Sequence, residues 1–324
     1  MKVSILAILF ALTGAPLVDC GQSNAKPNSA QHREVAVTFD DLPVVSSRND
    51  ITTWKTITED LLKTFTAYKI PVVGFVNEGK LLVQNKRDQA RVQLLRRWVD
   101  AGLELGNHTF SHLSLYNTPL EDFQNDLIRG EDVTRELLAE KRKKLRYFRH
   151  PFLNTGRSLE AKKQFETFLT ARGYTVAPVS IDNSDWIFAR AYDRARDAKQ
   201  PAEMKQVADA YILYMEQKVD YWERQSAALF GREIKQVLLL HANAINAEHF
   251  GEIVRMLNGR GYKFITLEEA LKDTAYASED KLIGAAGISW IHRWAITRGV
   301  AKDFFKGEPA TPSFVMKLAG VTSE

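Results

Sequence analysis

The sequence has one cysteine, Cys20, in 324 residues. No disulfide can form within the chain, so the fold must stand on a hydrophobic core. It has no surplus of one charge either: 44 Lys and Arg face 40 Asp and Glu, a net +4. That excess is too small to argue for a polyanionic partner. The densest basic cluster, Lys141-Arg142-Lys143-Lys144, closes a helical pattern, where cations complement the helix dipole. It reads as a solvated face, and no nucleic-acid partner is expected. Internal repeats are absent. Ten Pro and eighteen Gly describe an ordinary globular chain, neither disordered nor fibrous.

Long apolar runs are also missing. The longest, Val3 to Leu12, is shorter than the roughly 20 residues a membrane-spanning helix needs. It follows Lys2 and precedes small residues and Pro16, the layout of an export signal. Leu17 stands where a lipoprotein signal puts its leucine, but Asp19 occupies the place of that signal's small residue. Residues 1–20 are read as an export signal, with a lipid anchor at Cys20 left open as the only route to a membrane. Residues 21–33 are polar and turn-rich and read as a flexible linker. The expected location is periplasmic, cell-envelope or secreted.

From Glu34 onward short apolar runs alternate with helical patterns. Val35 to Phe39 is β-branched and aromatic and reads as a buried strand stopped by Asp40-Asp41-Leu42-Pro43. Helical spacing over 53–69 and 88–101 brackets a strand at Val72–Val76. A short apolar run then leads to His108. Apolar positions from Leu120 to Leu138 follow Pro119 at helical intervals, and Tyr147-Phe148-Arg149 reads as the next strand. A helix over 158–172 precedes a strand at Tyr174–Ile181. Residues 187–236 break the rhythm and read as one or two long helices around Pro201, an insertion in a short-looped chain. Its Tyr211, Tyr214, Tyr221 and Trp222 are expected to pack on the body of the fold. Val237–Leu240 is a buried strand ending at His241, and one more strand lies at Tyr262–Leu267.

Repeated strand-then-helix units predict an α/β fold with a parallel sheet and outer helices. Such a sheet either closes as a barrel or stays open and doubly wound; seven or so units over about 240 residues favour a distorted (β/α) barrel, whether closed completely or incompletely. The expected domain spans 34–280 with its helical insertion at 187–236, and residues 281–324 form a C-terminal extension packed on it.

The polar residues that end these strands are Asp40 and Asp41, His108 and His112, Arg149, Asp182 with Asp185, and His241. All fall at the carboxyl edge, where parallel α/β folds place their active sites. Packing alone does not ask for charged groups there, because each needs a partner. His108 and His112 stand four residues apart, and a helical turn would set both rings on one face. With Asp41 they offer one oxygen and two nitrogens, leaving positions open as a catalytic zinc site requires. Asp40 can face the same site only if the strand breaks at Leu42-Pro43, and is then the base beside water made acidic by one divalent ion, zinc by preference. Arg149 is read as the partner that keeps Asp40 ionised. His241 is the acid for a leaving group, with Asp185 setting its tautomer. Phe152 and Trp186 offer flat apolar walls for sugar rings.

Thr38-Phe39-Asp40-Asp41, His108-Thr109-Phe110-Ser111-His112, Arg149-His150-Pro151-Phe152, Asp182-Asn183-Ser184-Asp185-Trp186 and Leu238-Leu239-Leu240-His241 resemble, in order, the five motifs of the polysaccharide deacetylases of the chitin and peptidoglycan type. The resemblance covers about residues 34–270. It implies a distorted (β/α) barrel and metal-dependent removal of N- or O-acetyl groups, N-acetyl first, from an acetylated glycan. It also implies Asp40 as base, Asp41, His108 and His112 as ligands of zinc or a similar ion, Arg149 as orienting residue, Asp185 as partner of the acid, and His241 as the acid. The third motif departs from the family, which often has Pro and Tyr-Gly around it, where this chain has His150 and Phe152-Leu153-Asn154. Two other readings stay open: an amidase acting on a small non-sugar amide, and a catalytically silent glycan-binding envelope protein.

Overall fold

The computed structural model describes residues 33–324. The export signal, Cys20 and the linker lie outside the described residues, except that Arg33 is already the first residue of a strand. Seven parallel strands form one sheet. In chain order they are β1 (Arg33–Leu42), β2 (Val72–Val76), β3 (Glu104–Asn107), β4 (Tyr147–Phe148), β5 (Thr175–Val176), β6 (Gln236–His241) and β7 (Tyr262–Phe264). The spatial order is β5-β4-β3-β2-β1-β6, with β7 paired to the start of β1.

The sheet curls until its two ends nearly meet. Beyond β5 the chain leaves the ladder at Pro178, which has no N–H to give, and returns at Ile181 as a bridge to Leu238 of β6. Ile181 donates to Val237 O at 3.0 Å and accepts from Leu239 N at 3.3 Å. One bridge closes the ring, so the expected strand over Tyr174–Ile181 is in fact two separate pieces. The result is the distorted α/β barrel expected from the alternation.

Side chains alternate along β1, which sorts the fold into layers. Val37 and Phe39 face outward, where Phe39 meets Phe65, Phe250 and Trp98 at 5.1, 5.4 and 6.2 Å between ring centroids. Phe65 lies on α1 (Ile51–Tyr68), Trp98 on α2 (Gln89–Asp100) and Phe250 on the Ala244–Gly259 helix. Ala36, Val73, Phe75, Tyr147, Ala177 and Val237 fill the barrel from inside. Thr38 and Asp40 follow Ala36 on that inner face, one step nearer the carboxyl edge. The plug of apolar side chains is therefore the floor of the site.

Helices cover the outside. The single helical pattern expected after Pro119 is two helices, α3 (Leu120–Arg129) and α4 (Asp132–Glu140), separated at Gly130. α5 (Leu159–Ala171) follows. The insertion is α6 (Asp185–Asp197) and α7 (Pro201–Phe230), the latter with Pro201 in its first turn, where a missing N–H costs nothing. Tyr211, Tyr214, Tyr221 and Trp222 are all buried, as packing required. After α8 (Ala244–Gly259) and α9 (Leu267–Leu271), the last segment carries α10 (Trp290–Thr297) and α11 (Ser313–Ala319). Trp290 and Trp294 of α10 are buried. Among the described residues no helix is long and apolar enough to cross a membrane.

Candidate active site

β1 presents two adjacent carboxylates because it bulges. Its register with β2 shifts between Phe39 and Leu42, and Asp41 adopts φ 67°. A bulge interrupts the alternation of side chains, so Asp40 keeps the inner face and Asp41 turns in beside it. The break that the two-aspartate reading needed is therefore present.

The two histidines come together by another route than a helical turn. Thr109 and His112 both have left-handed backbones, φ 64° and 55°, and the segment is a loop. It is pinned from several sides. Thr109 N donates to Asn107 Oδ1 at 2.7 Å, Phe110 N to Asp126 O at 3.0 Å, and Ser111 N to Asp126 Oδ2 at 2.9 Å. Asn77 Nδ2 donates to His108 O at 2.6 Å. Gly130 lets the loop lie flat on the α3–α4 junction, since a Cβ there would stand 2.8 Å from Phe110 N and Thr109 C.

Asp41, His108 and His112 each offer one donor atom, and the three atoms lie within 4.8 Å of one another. His108 Nε2 is 3.7 Å and His112 Nε2 is 3.5 Å from Asp41 Oδ1. Donors about 2.1 Å from a tetrahedral zinc ion stand roughly 3.4 Å apart, so the spacing fits a metal with little movement. Two further features agree. His108 Nδ1 lies 2.8 Å from Arg149 O, which fixes the tautomer that leaves Nε2 free to ligate. Asp41 Oδ1 is buried with no hydrogen-bond partner. Burial first holds both imidazoles below their usual pKa, and hence neutral, against the upward pull of Asp41. Burial would raise Asp41, but Lys80, His112 and His108 outweigh it and keep this carboxyl well below the usual range.

Lys80 was not picked out from the sequence. It sits on an unexpected 3-10 turn, Glu78–Leu81, and donates to Asp41 O at 2.8 Å while its Nζ stands 3.6 Å from Asp41 Oδ2. One carboxylate oxygen thus faces the ammonium and the other faces the imidazoles. A lysine four residues past a strand carries no motif, and only the fold brings it to Asp41.

Asp40 is buried beside them. Arg149 Nη1 is 3.4 Å from its Oδ2, and Oδ1 has no partner. Arg149 is itself fully buried and locked: Nη2 donates to Thr38 Oγ1 at 2.9 Å, and the guanidinium lies 4.7 Å over the Phe75 ring. Burial pushes the Asp40 carboxyl up to about 6, against the pull of Arg149 and His241.

Across the ladder, Asp40 and His241 are register partners on β1 and β6. His241 Nδ1 pairs with Asp185 Oδ1 at 2.7 Å, and its backbone N donates to Asp185 Oδ2 at 2.9 Å. Asn246 Nδ2 donates to the same Oδ2 at 2.8 Å, and Tyr211 of the insertion donates to Asn246 Oδ1 at 2.6 Å. Burial alone would lower His241, but the charge and hydrogen bond of Asp185, with Asp41 and Asp40, carry it up to about 9. A carboxyl raised to about 6 and an imidazole raised to about 9 in one site are the kind of perturbed pair that acid–base chemistry uses.

Phe152 and Trp186 are 55% and 39% exposed, large apolar faces left open to solvent. The Phe152 ring lies edge-on to His112, centroids 4.4 Å apart, so it borders the metal ligands. Trp186 is the second residue of α6, directly after Asp185. The nine residues given a role from the sequence are therefore at this edge of the barrel. The insertion also reaches it: Trp222 Nε1 donates to Asp182 O at 2.8 Å, and Tyr214 Oη accepts from Ser184 N at 2.9 Å.

An α/β barrel with two imidazoles and a carboxylate at its carboxyl edge, beside a second buried carboxyl and an Asp-paired imidazole, has the makings of a hydrolase. Residues 28–167 match the family model described as polysaccharide deacetylase, which bears out over that stretch the resemblance read from the motifs. No curated protein matches the chain. Among solved structures the chain is similar to the peptidoglycan deacetylase PdaC of Bacillus subtilis, at 21% identity and TM-score 0.47, covering 75% of this chain and 93% of that one. It is also similar to a family 4 carbohydrate esterase of Bacillus anthracis, at 18% identity and TM-score 0.46, covering 75% and 84%. A CE4 family pseudoenzyme of Bacillus anthracis aligns at 16% identity and TM-score 0.48, covering 75% and 66%.

Proposed function

We propose that this protein is a metal-dependent deacetylase that hydrolyses acetyl groups, N-acetyl first among them, from an acetylated glycan of the cell envelope or its surroundings. The observation that carries the reading is the convergence of three ligand atoms with a buried carboxyl, Asp40, and the imidazole paired with it across the ladder, His241. Asp41, His108 and His112 would hold one divalent ion, zinc by its preference for nitrogen ligands in an open tetrahedral set. Such an ion supplies a Lewis acid that polarises an acetyl carbonyl and lowers the pKa of water.

The chain supplies the rest. Asp40 is ionised above about pH 6 and takes the proton of the attacking water. Arg149, unable to turn between Thr38 and Phe75, holds that carboxylate in place. His241 is protonated below about pH 9 and gives its proton to the departing amine or alkoxide. Asp185 keeps the imidazolium oriented and stabilises its charge. Phe152 and Trp186 give sugar rings two apolar faces at the mouth of the site. Residues 1–20, read from the sequence as an export signal, would put this activity outside the cytoplasm, with a lipid anchor at Cys20 left open as its route to a membrane.

The test is acetate release from chitin oligomers, peptidoglycan and acetylated xylan by protein stripped with chelator and then reloaded with zinc. Release that disappears on stripping and returns with zinc is expected. Tight zinc binding with no acetate from any polymer would defeat the proposal.

A further inference from the structure

We propose that residues 280–293 of the C-terminal segment are a clamp that positions the Phe152 loop against the metal ligands, which makes this segment part of the site. The loop needs such a clamp. Phe152 and Leu153 are consecutive left-handed residues, φ 56° and 52°, and neither is glycine. A left-handed non-glycine residue is strained and persists only when its surroundings hold it.

The surroundings that hold it come from the tail. Gly287 N donates to Phe152 O at 3.0 Å. A Cβ at 287 would stand 2.3 Å from Phe152 O and from Leu153 C, so the two backbones touch only because residue 287 is glycine. Arg293, 1% exposed, donates through Nη1 to Leu153 O at 3.1 Å and through Nη2 to Thr155 Oγ1 at 2.6 Å. Its Nε is fixed by Asp280 Oδ2 at 2.8 Å, and Lys162 of α5 binds the same oxygen at 2.7 Å. The clamp is tied to the barrel in turn. Ser289 Oγ donates to Ser180 O and Trp290 N donates to Val179 O, each at 2.7 Å, just before the bridge at Ile181. Charge, steric fit and backbone hydrogen bonds thus all converge on the three residues that present the Phe152 ring to His112.

The consequence for zinc affinity and for substrate binding rests on the deacetylase reading; the consequence for loop order does not. The test compares wild type, Gly287→Ala, Phe152→Ala and the double variant. Three measurements are made: hydrogen exchange over residues 150–155, zinc affinity by chelator competition, and KM and kcat on an acetylated chitin oligomer. Gly287→Ala should speed exchange in the loop and weaken zinc by about threefold to tenfold, the range an edge-to-face aromatic pair supports. KM should rise more than kcat falls. The double variant should bind zinc no more weakly than Phe152→Ala alone, because both changes remove one arrangement. Thr155→Val, which deletes a single Arg293 contact, should show the same pattern in weaker form and serves if Gly287→Ala does not fold. Unchanged exchange and zinc affinity with only a lower melting point would overturn the clamp, as would fully additive losses. If the wild type releases no acetate or binds no zinc, the deacetylase reading fails, and the exchange rates of residues 150–155 still decide whether the tail holds the loop.

Discussion

Asp185→Asn should move the alkaline limb of the pH profile. Asp185 is fully buried and accepts hydrogen bonds from His241 Nδ1, His241 N, Asn246 Nδ2 and, at 3.3 Å, Asn243 Nδ2. Burial works against a charged His241, and the Asp185 carboxylate is the first of the influences that overcome it and carry the imidazole to about 9. With an amide in its place, burial is no longer outweighed by Asp185 and His241 returns to its ordinary value of about 6.5 or lower. That fall of about 2.5 units is worth about 3 kcal/mol. At pH 7.5 the protonated fraction drops from about 97% to about 9%, so at least a tenfold loss of rate follows from protonation alone if His241 donates in the slow step. The amide also turns an N–H₂ toward buried donors, which costs on the order of 1–3 kcal/mol of stability and must be checked separately. The assay is kcat and kcat/KM from pH 5.5 to 10, with thermal melts at each pH. Zinc will neutralise Asp41 and remove that part of the rise, so the holoenzyme limb should lie somewhat below 9 in wild type and below 7 in the variant. An alkaline limb unmoved by Asp185→Asn, in a folded protein, would refute His241 as the proton donor governed by Asp185.

Other expectations are briefer. Asp40→Asn should abolish acetate release while zinc binding by chelator competition is kept; near-normal turnover would remove Asp40 as the base. Because burial pushes the Asp40 carboxyl up to about 6, its ionisation opposes folding, and the contribution falls as pH rises from about 4 to 6. The same substitution should therefore stabilise the metal-free protein at pH 7.5 by up to about 3 kcal/mol, read from urea unfolding, and leave stability at pH 3.5 nearly unchanged. Arg149→Met takes away the first influence holding Asp40 down, so the acid limb of activity should shift upward by about a unit or more, with a large loss of rate. Gly130→Ala keeps its ordinary backbone angles but places a methyl 2.8 Å from the loop bearing His108 and His112. It should weaken zinc about tenfold or more at little cost in melting temperature, on the scale of losses from displaced ligand supports; unchanged affinity would show that the loop tolerates the shift.

The residues that carry chemistry were legible because each ends a strand, and chain order alone fixes which edge of a parallel sheet that is. The bulge at Asp41 was legible too, since two adjacent aspartates before Leu42-Pro43 cannot both face inward on a regular strand. The supports were not. Asn246 and Lys80 act on Asp185 and Asp41 across the fold, from positions with no local pattern. His108 and His112 suggested a helical face by spacing, whereas two left-handed residues and the cradle from Asp126 set the rings. The split between α3 and α4 hid in a continuous apolar periodicity because Gly130 serves the loop above it. The tail looked like an appendage since nothing in its sequence points to Phe152; its contacts there are made by backbone and by a glycine with no side chain.

The central claim is that one metal ion held by Asp41, His108 and His112 makes this barrel a deacetylase. Its most direct test is a zinc titration of the stripped protein, following bound metal and acetate released from an N-acetylated chitin oligomer together. Acetate release should rise in step with zinc and saturate at one ion per chain, and His108→Ala should bind none at that site and release none. Full-rate acetate release before any zinc is added, or an active His108→Ala, would contradict the account.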